Sequence, residues 1–182
     1  MPVTTKRMLS ILHVLSWIIF IGVCIEAGAI LFNIVFSLFI NPLWADTFGG
    51  MGDLSELLKY DRGYFFVITF LMLIVALLRS VMFYVIIKIF LDKTLSLSQP
   101  FNSAVVRFIQ QVAYLALGIG LFSGLAVKYA KWLAQKEVVL PDAESLHVAG
   151  ADVWLFMGVI LLVIAHIITR GIEMQTENEL TV

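Results

Sequence analysis

Four stretches of this chain are apolar almost without interruption, at about 9–40, 64–90, 103–127 and 151–170, and polar residues collect between them. Each approaches or exceeds the roughly 20 residues needed to cross a hydrocarbon core as a helix. The first is unbroken by proline and would run roughly 47 Å at a 1.5 Å rise, so it must tilt or protrude. Asn41-Pro42 ends it. In the loop that follows, DLSELLKY predicts a short surface helix, with Asp53 able to cap it and Glu56 at the capping-box position. LDKTLSLSQPFN is a polar connector between the second and third stretches. Asn102 or Ser103 can satisfy the exposed amides where the third begins. After it, YAKWLAQ reads as helix leaving the membrane, stopped by Pro141.

Composition turns these stretches into membrane spans. The chain is 61% hydrophobic and only 14% charged, with a mean hydropathy of +1.00. A soluble domain of this size cannot bury that much apolar surface. The expected fold is all-α, a polytopic four-transmembrane-helix bundle forming a single integral membrane domain over residues 1–182, with 171–182 as an acidic tail. The first span has a basic flank but is too long for a signal-peptide core and lacks a cleavage site, so it is read as retained. A net charge of -1 offers no polybasic surface for nucleic acid.

Four spans put both termini on one face. With that face cytoplasmic, it holds Lys6, Arg7, Lys88, Lys93, Arg107 and Arg170, against Lys59, Arg62, Lys128, Lys131 and Lys136 opposite. The counts nearly balance, and the first span decides: its basic residues flank one end only. KYAKWLAQK argues the other way. Trp44, Trp132 and Trp154, with Tyr60 and Tyr64, are expected near the outer interface, which aromatic rings favour.

Candidate chemistry is sparse. Glu26 lies near the middle of the first span, where a bare carboxylate would cost several kcal/mol. It shares an i, i+3/i+4 stripe with Gly22, Ala29 and Asn33 that should face other helices. Arg79 is its natural partner, although snorkelling toward the headgroups would also serve. The pair reads either as a proton- or ligand-responsive site or as a hydrogen-bonded tie within the bundle. Arg107, Gln110, Gln111 and Tyr114 make a polar first half of the third span, expected to face the bundle or a wet cleft. His166, one turn before Arg170, could sense pH or donate a ring proton to a neighbouring helix. Ala116, Gly120 and Gly124 recur at four-residue intervals, a pattern that internal packing and homo-oligomerisation explain equally. The lone Cys24 permits no internal disulfide, and His13, His147 and His166 are widely separated, with His147 expected on the outer side. No metal set, nucleotide fingerprint or catalytic triad emerges. The expectation is therefore not an enzyme, with no cofactor and with membrane lipids as neighbours.

The ending HIITRGIEMQTENELTV, with Gly171, Glu173, Met174, Glu177, Asn178, Glu179, Leu180, Thr181 and Val182, resembles the close of the bacterial DUF2975 family of uncharacterised membrane proteins. Pro100-Phe101 before the third span fits as well. Glu179 stands where that family often has aspartate, and Ser98 where it often has glycine. The resemblance implies a four-helix inner-membrane protein of unknown biochemical function and a small helix-turn-helix regulator as a partner. The acidic tail would be repelled by an anionic leaflet. Docking of Glu173, Glu177 and Glu179 on Lys88, Lys93 and Arg107 is the preferred arrangement, and a free tail the alternative. Two functions follow: a regulatory or interaction component using the 91–102 connector and the 171–182 tail, or a small transporter, channel subunit or intramembrane ligand sensor using Glu26 and Arg79.

Overall fold

The computed structural model describes residues 5–40, 53–91, 102–136 and 138–180. Within these residues five helices follow one another: α1 (Thr5–Phe39), α2 (Ser55–Tyr60), α3 (Arg62–Leu91), α4 (Ser103–Ala134) and α5 (Ala151–Leu180). All but α2 are long and apolar enough to cross a membrane, so the four-transmembrane-helix bundle stands. The helices lie in a row, α1 against α3, α3 against α4 and α4 against α5, with α2 on α3. Among the described residues, α1 and α5 make no close backbone approach to each other.

Outward faces carry large apolar side chains, among them Ile11, Ile18 and Ile25 on α1 and Phe156, Val163 and Ile167 on α5. In lipid these need no protein partner. Inward, Phe65, Ile68, Met72 and Ile119 are buried. Leu54, Leu57 and Leu58 join the same core, which explains why the short α2 is stable at all. Ser55 donates its amide to Asp53 Oδ1 at 2.8 Å, while no side chain caps α2 at Leu54; the capping box expected with Glu56 is not the device used. Asn102 does cap α4, accepting from the Val105 amide at 2.9 Å.

Two small-residue contacts fix the α4–α5 seam. A Cβ on Gly120 would lie 2.7 Å from Leu155 Cγ and 2.9 Å from the Ala151 carbonyl oxygen. One on Gly158 would lie 2.7 Å from Leu117 Cγ and 3.1 Å from the Ala113 oxygen. Gly120 therefore serves packing within the chain.

The seam also reveals where α5 begins. Ala151 abuts Gly120, which is 14 residues before the end of α4, so the connection from Gln135 to Gly150 descends roughly 20 Å back along the bundle. Apolar side chains make the descent possible: Leu146 and Val148 are fully buried. Such non-helical backbone is tolerated at membrane depth only where protein covers it. At the other end, α5 does not stop near Arg170 but stays helical to Leu180, so the expected separate tail is a helix extension. The i, i+3 pair Arg170–Glu173, at 3.1 Å, supports it.

Candidate functional site

Glu26 and Arg79 meet, and a third group joins them from the descending loop. Arg79 Nη1 lies 3.8 Å from Glu26 Oε1, and His147 Nδ1 lies 2.9 Å from the same oxygen. The Arg79 guanidinium sits 5.9 Å from the centre of the Trp154 ring, within cation–π range. Four segments thus converge: α1, α3, the 135–150 connection and the start of α5. The side chains of Arg79, Glu26 and His147 retain 17%, 22% and 37% exposure, so the cluster is shielded yet reachable. Arg79 Nε is buried with no hydrogen-bond partner among the described residues.

Depth follows from charges on α4. Arg107 and Lys128 are 21 residues apart, roughly 31 Å of helix, which matches a hydrocarbon core. Gly118 lies between them, and a Cβ there would touch Leu78 Cδ1 at 3.4 Å. Arg79, next to Leu78, is therefore near the middle of the apolar layer.

The loop builds its own lever for His147. Asp142 Oδ1 accepts the Ser145 amide at 2.9 Å, starting one helical turn, and hydrogen bonds from Ser145 hold the Asp142 carboxyl below the usual carboxylate range. The turn closes with the Val148 amide on the Ala143 oxygen at 3.0 Å and the His147 amide on the Glu144 oxygen at 2.8 Å. That 6→1 and 5→2 pairing is a Schellman ending, whose left-handed position usually holds glycine. Here His147 occupies it at φ 54. A non-glycine residue accepts that strain where its side chain has a task, and this one reaches Glu26. Gly150, at φ 77, then redirects the chain into α5.

At the far end of the connection, Lys136 Nζ donates to Tyr64 Oη at 3.1 Å and stands 4.0 Å from the Trp132 ring centre. The Tyr64 hydrogen bond raises the Lys136 pKa. Tyr60 stacks on Tyr64. Trp132, Tyr60 and Tyr64 thus share one end, as expected for an interfacial belt. Trp154 does not: it lies beside Arg79, about 22 Å of helix from Tyr64, because the loop carries the start of α5 inward.

Other expected site residues scatter. Asn33 is buried and its Oδ1 accepts from Ser37 Oγ at 3.3 Å. Gly22 leaves the stripe, facing open space. Tyr114 is 64% exposed and Gln111 is also exposed. Gln110 lines a cleft with Arg107, Thr169 and Glu173 between α4 and α5, whereas Gln111 lines another with Lys88 and Arg107 between α3 and α4. These groups do not form one polar path with Glu26. His166 is exposed rather than turned into the bundle, since the buried stripe of α5 passes through its neighbour Ala165. Glu173 pairs with Arg170 on its own helix instead of with Arg107, and Glu177 is exposed. Lys93, Pro100, Phe101, Trp44 and the side chain of Glu179 lie outside the described residues, and with them most of the docking surface expected for the acidic tail. Among the described residues, no group of three His, Cys, Asp or Glu side chains could hold a metal ion.

Residues 49–182 match the family model described as a protein of unknown function, DUF2975. The chain belongs to the DUF2975 family. The DUF2975 match takes in Arg79, His147 and Trp154 and leaves α1, with Glu26, outside it. No curated protein and no solved structure matches the chain.

His147 is the member of the site that the sequence did not bring forward. Its flanks carried a signal: Leu146 and Val148 are apolar on either side of it, unusual for a solvated loop, and Gly150 offers a turn immediately before the last span.

Proposed function

We propose that this protein is a non-catalytic regulatory component of the bacterial inner membrane, with both termini cytoplasmic, that senses the state of the Glu26–Arg79–His147 cluster and reports it through α5. The observation that carries the reading is the continuity of α5. It starts at the loop that latches on Glu26, touches Arg79 through Trp154, and runs unbroken to Leu180. A rigid helix transmits displacement along its length, and the last turns of α5 continue past Glu173, which lies level with the first turns of α4. An occupant that competes for the Glu26 carboxylate, a cation or a strong hydrogen-bond donor, would release His147 and let α5 shift against α3 together with α4, to which the Gly120 and Gly158 contacts hold it. A ligand can shift such an equilibrium only through its different affinity for the latched and released states.

Spin labels at Leu91, at the end of α3, and Thr176, on the α5 extension, test the coupling. Glu26→Gln and His147→Ala should each shift the distance distribution between them. An unchanged distance in both variants, with the loop demonstrably released, contradicts the reading.

A further inference from the structure

We propose that the cleft between the end of α3 and the start of α4 binds the headgroup of an anionic phospholipid. The cleft encloses about 290 Å³ and is lined by Lys88, Arg107 and Gln111 with apolar Val85 and Phe108 among its walls. No acidic side chain lines it among the described residues. Lys88 stands in the last turn of α3 and Arg107 one turn into α4, where both helices leave the apolar layer. A phosphodiester at that height meets two cations, one of which offers a forked donor suited to phosphate oxygens. Gln111 lies one turn deeper on α4 and can donate to the ester oxygens below the phosphate, and Val85 and Phe108 continue the wall toward the acyl chains. Basic pockets between membrane helices are established headgroup sites. Glu173 is not the occupant: it lines a different cleft, on the α5 side of Arg107, and is held by Arg170 at 3.1 Å.

The full chain, reconstituted in phosphatidylcholine vesicles doped with spin-labelled phosphatidylglycerol, reads the site through the selectivity for the labelled lipid. At about 1 kcal/mol per basic residue near the surface, Lys88→Gln with Arg107→Gln should lower that selectivity roughly thirtyfold. Lys128→Gln with Lys131→Gln, the same charge removed at the opposite end, should leave it unchanged, and Lys88→Arg with Arg107→Lys should retain it. Loss of selectivity in the charge-conserving variant, or equal loss in the opposite-end variant, overturns the proposal. Inorganic phosphate should fail to displace the labelled lipid; displacement at millimolar phosphate identifies a simple anion site and overturns the lipid assignment.

Discussion

The two outer helices of the row are attached by opposite means. α5 joins α4 through close backbone contact at Gly120 and Gly158, with no polar group required. Among the described residues α1 packs on α3, burying Ala27, Ile30 and Ile34, and adds polar ties from Glu26 to Arg79 on α3 and to His147 of the 135–150 connection. Close packing of small residues is specific and stiff, because in lipid it is itself the driving force between helices. A polar tie at partial exposure is directional but exchangeable, since another donor can take the place of His147. The contrast assigns rigidity to one joint and switching to the other.

The largest effect should come from breaking the stiff joint. Gly120→Val forces a branched side chain against the Ala151 and Leu155 backbone, and overpacking of that kind costs about 3 kcal/mol. Reversible unfolding in mixed detergent micelles measures it. Gly28→Ala, mid-helix with nothing within 4 Å, should lose no stability and gain up to about 1 kcal/mol from alanine's lower backbone entropy; a loss there equal to that at Gly120 would mean that the Gly120 contact is not what fixes the α4–α5 joint.

A smaller effect sharpens the polar side. His147→Ala removes the bond to Glu26 and keeps a strained backbone, whereas His147→Gly removes the bond and relieves the strain. The glycine variant should be more stable than the alanine variant by about 1 kcal/mol, while both release the loop. Alanine equal to or better than glycine would mean that the left-handed turn is not retained in the membrane.

The smallest effect concerns the turn that carries His147. The Asp142 carboxyl is held below its ordinary range by Ser145, so its support is present above the unfolded carboxylate pKa near 3.8 and is lost as pH falls through the depressed native value. The protection factor of the Ser145 amide, its exchange rate relative to the intrinsic rate at each pH, should therefore fall on acidification in wild type and stay constant in Asp142→Ala. A parallel acid response in the variant would assign the change to another group.

Much of the fold was legible because lipid simplifies the code. Long apolar runs announce spans whatever their neighbours do, and the Asn102-Ser103 pair announced a capping position for α4, which Asn102 takes. Glu26 and Arg79 were legible for the same reason, since a charge in an apolar run needs a partner. The loop was not legible. His147 acts through a left-handed turn and a 20 Å descent whose cause is the burial of Leu146 and Val148 in the core beside α4, a tertiary matter. The same descent moved Trp154 from the expected interface to Arg79. Gly158 escaped notice because its partner pattern lies on α4, and His166 misled because one residue of helix phase separates an inward from an outward ring.

The latch itself admits a direct measurement. Labelling His147 with ¹⁵N and Glu26 with ¹³C at the carboxyl, in protein reconstituted in lipid, allows solid-state NMR dipolar recoupling between the two. A 2.9 Å Nδ1–Oε1 contact predicts strong dephasing in wild type that vanishes in Glu26→Ala. Absence of dephasing in wild type, with the loop resting at the membrane surface, would contradict the account.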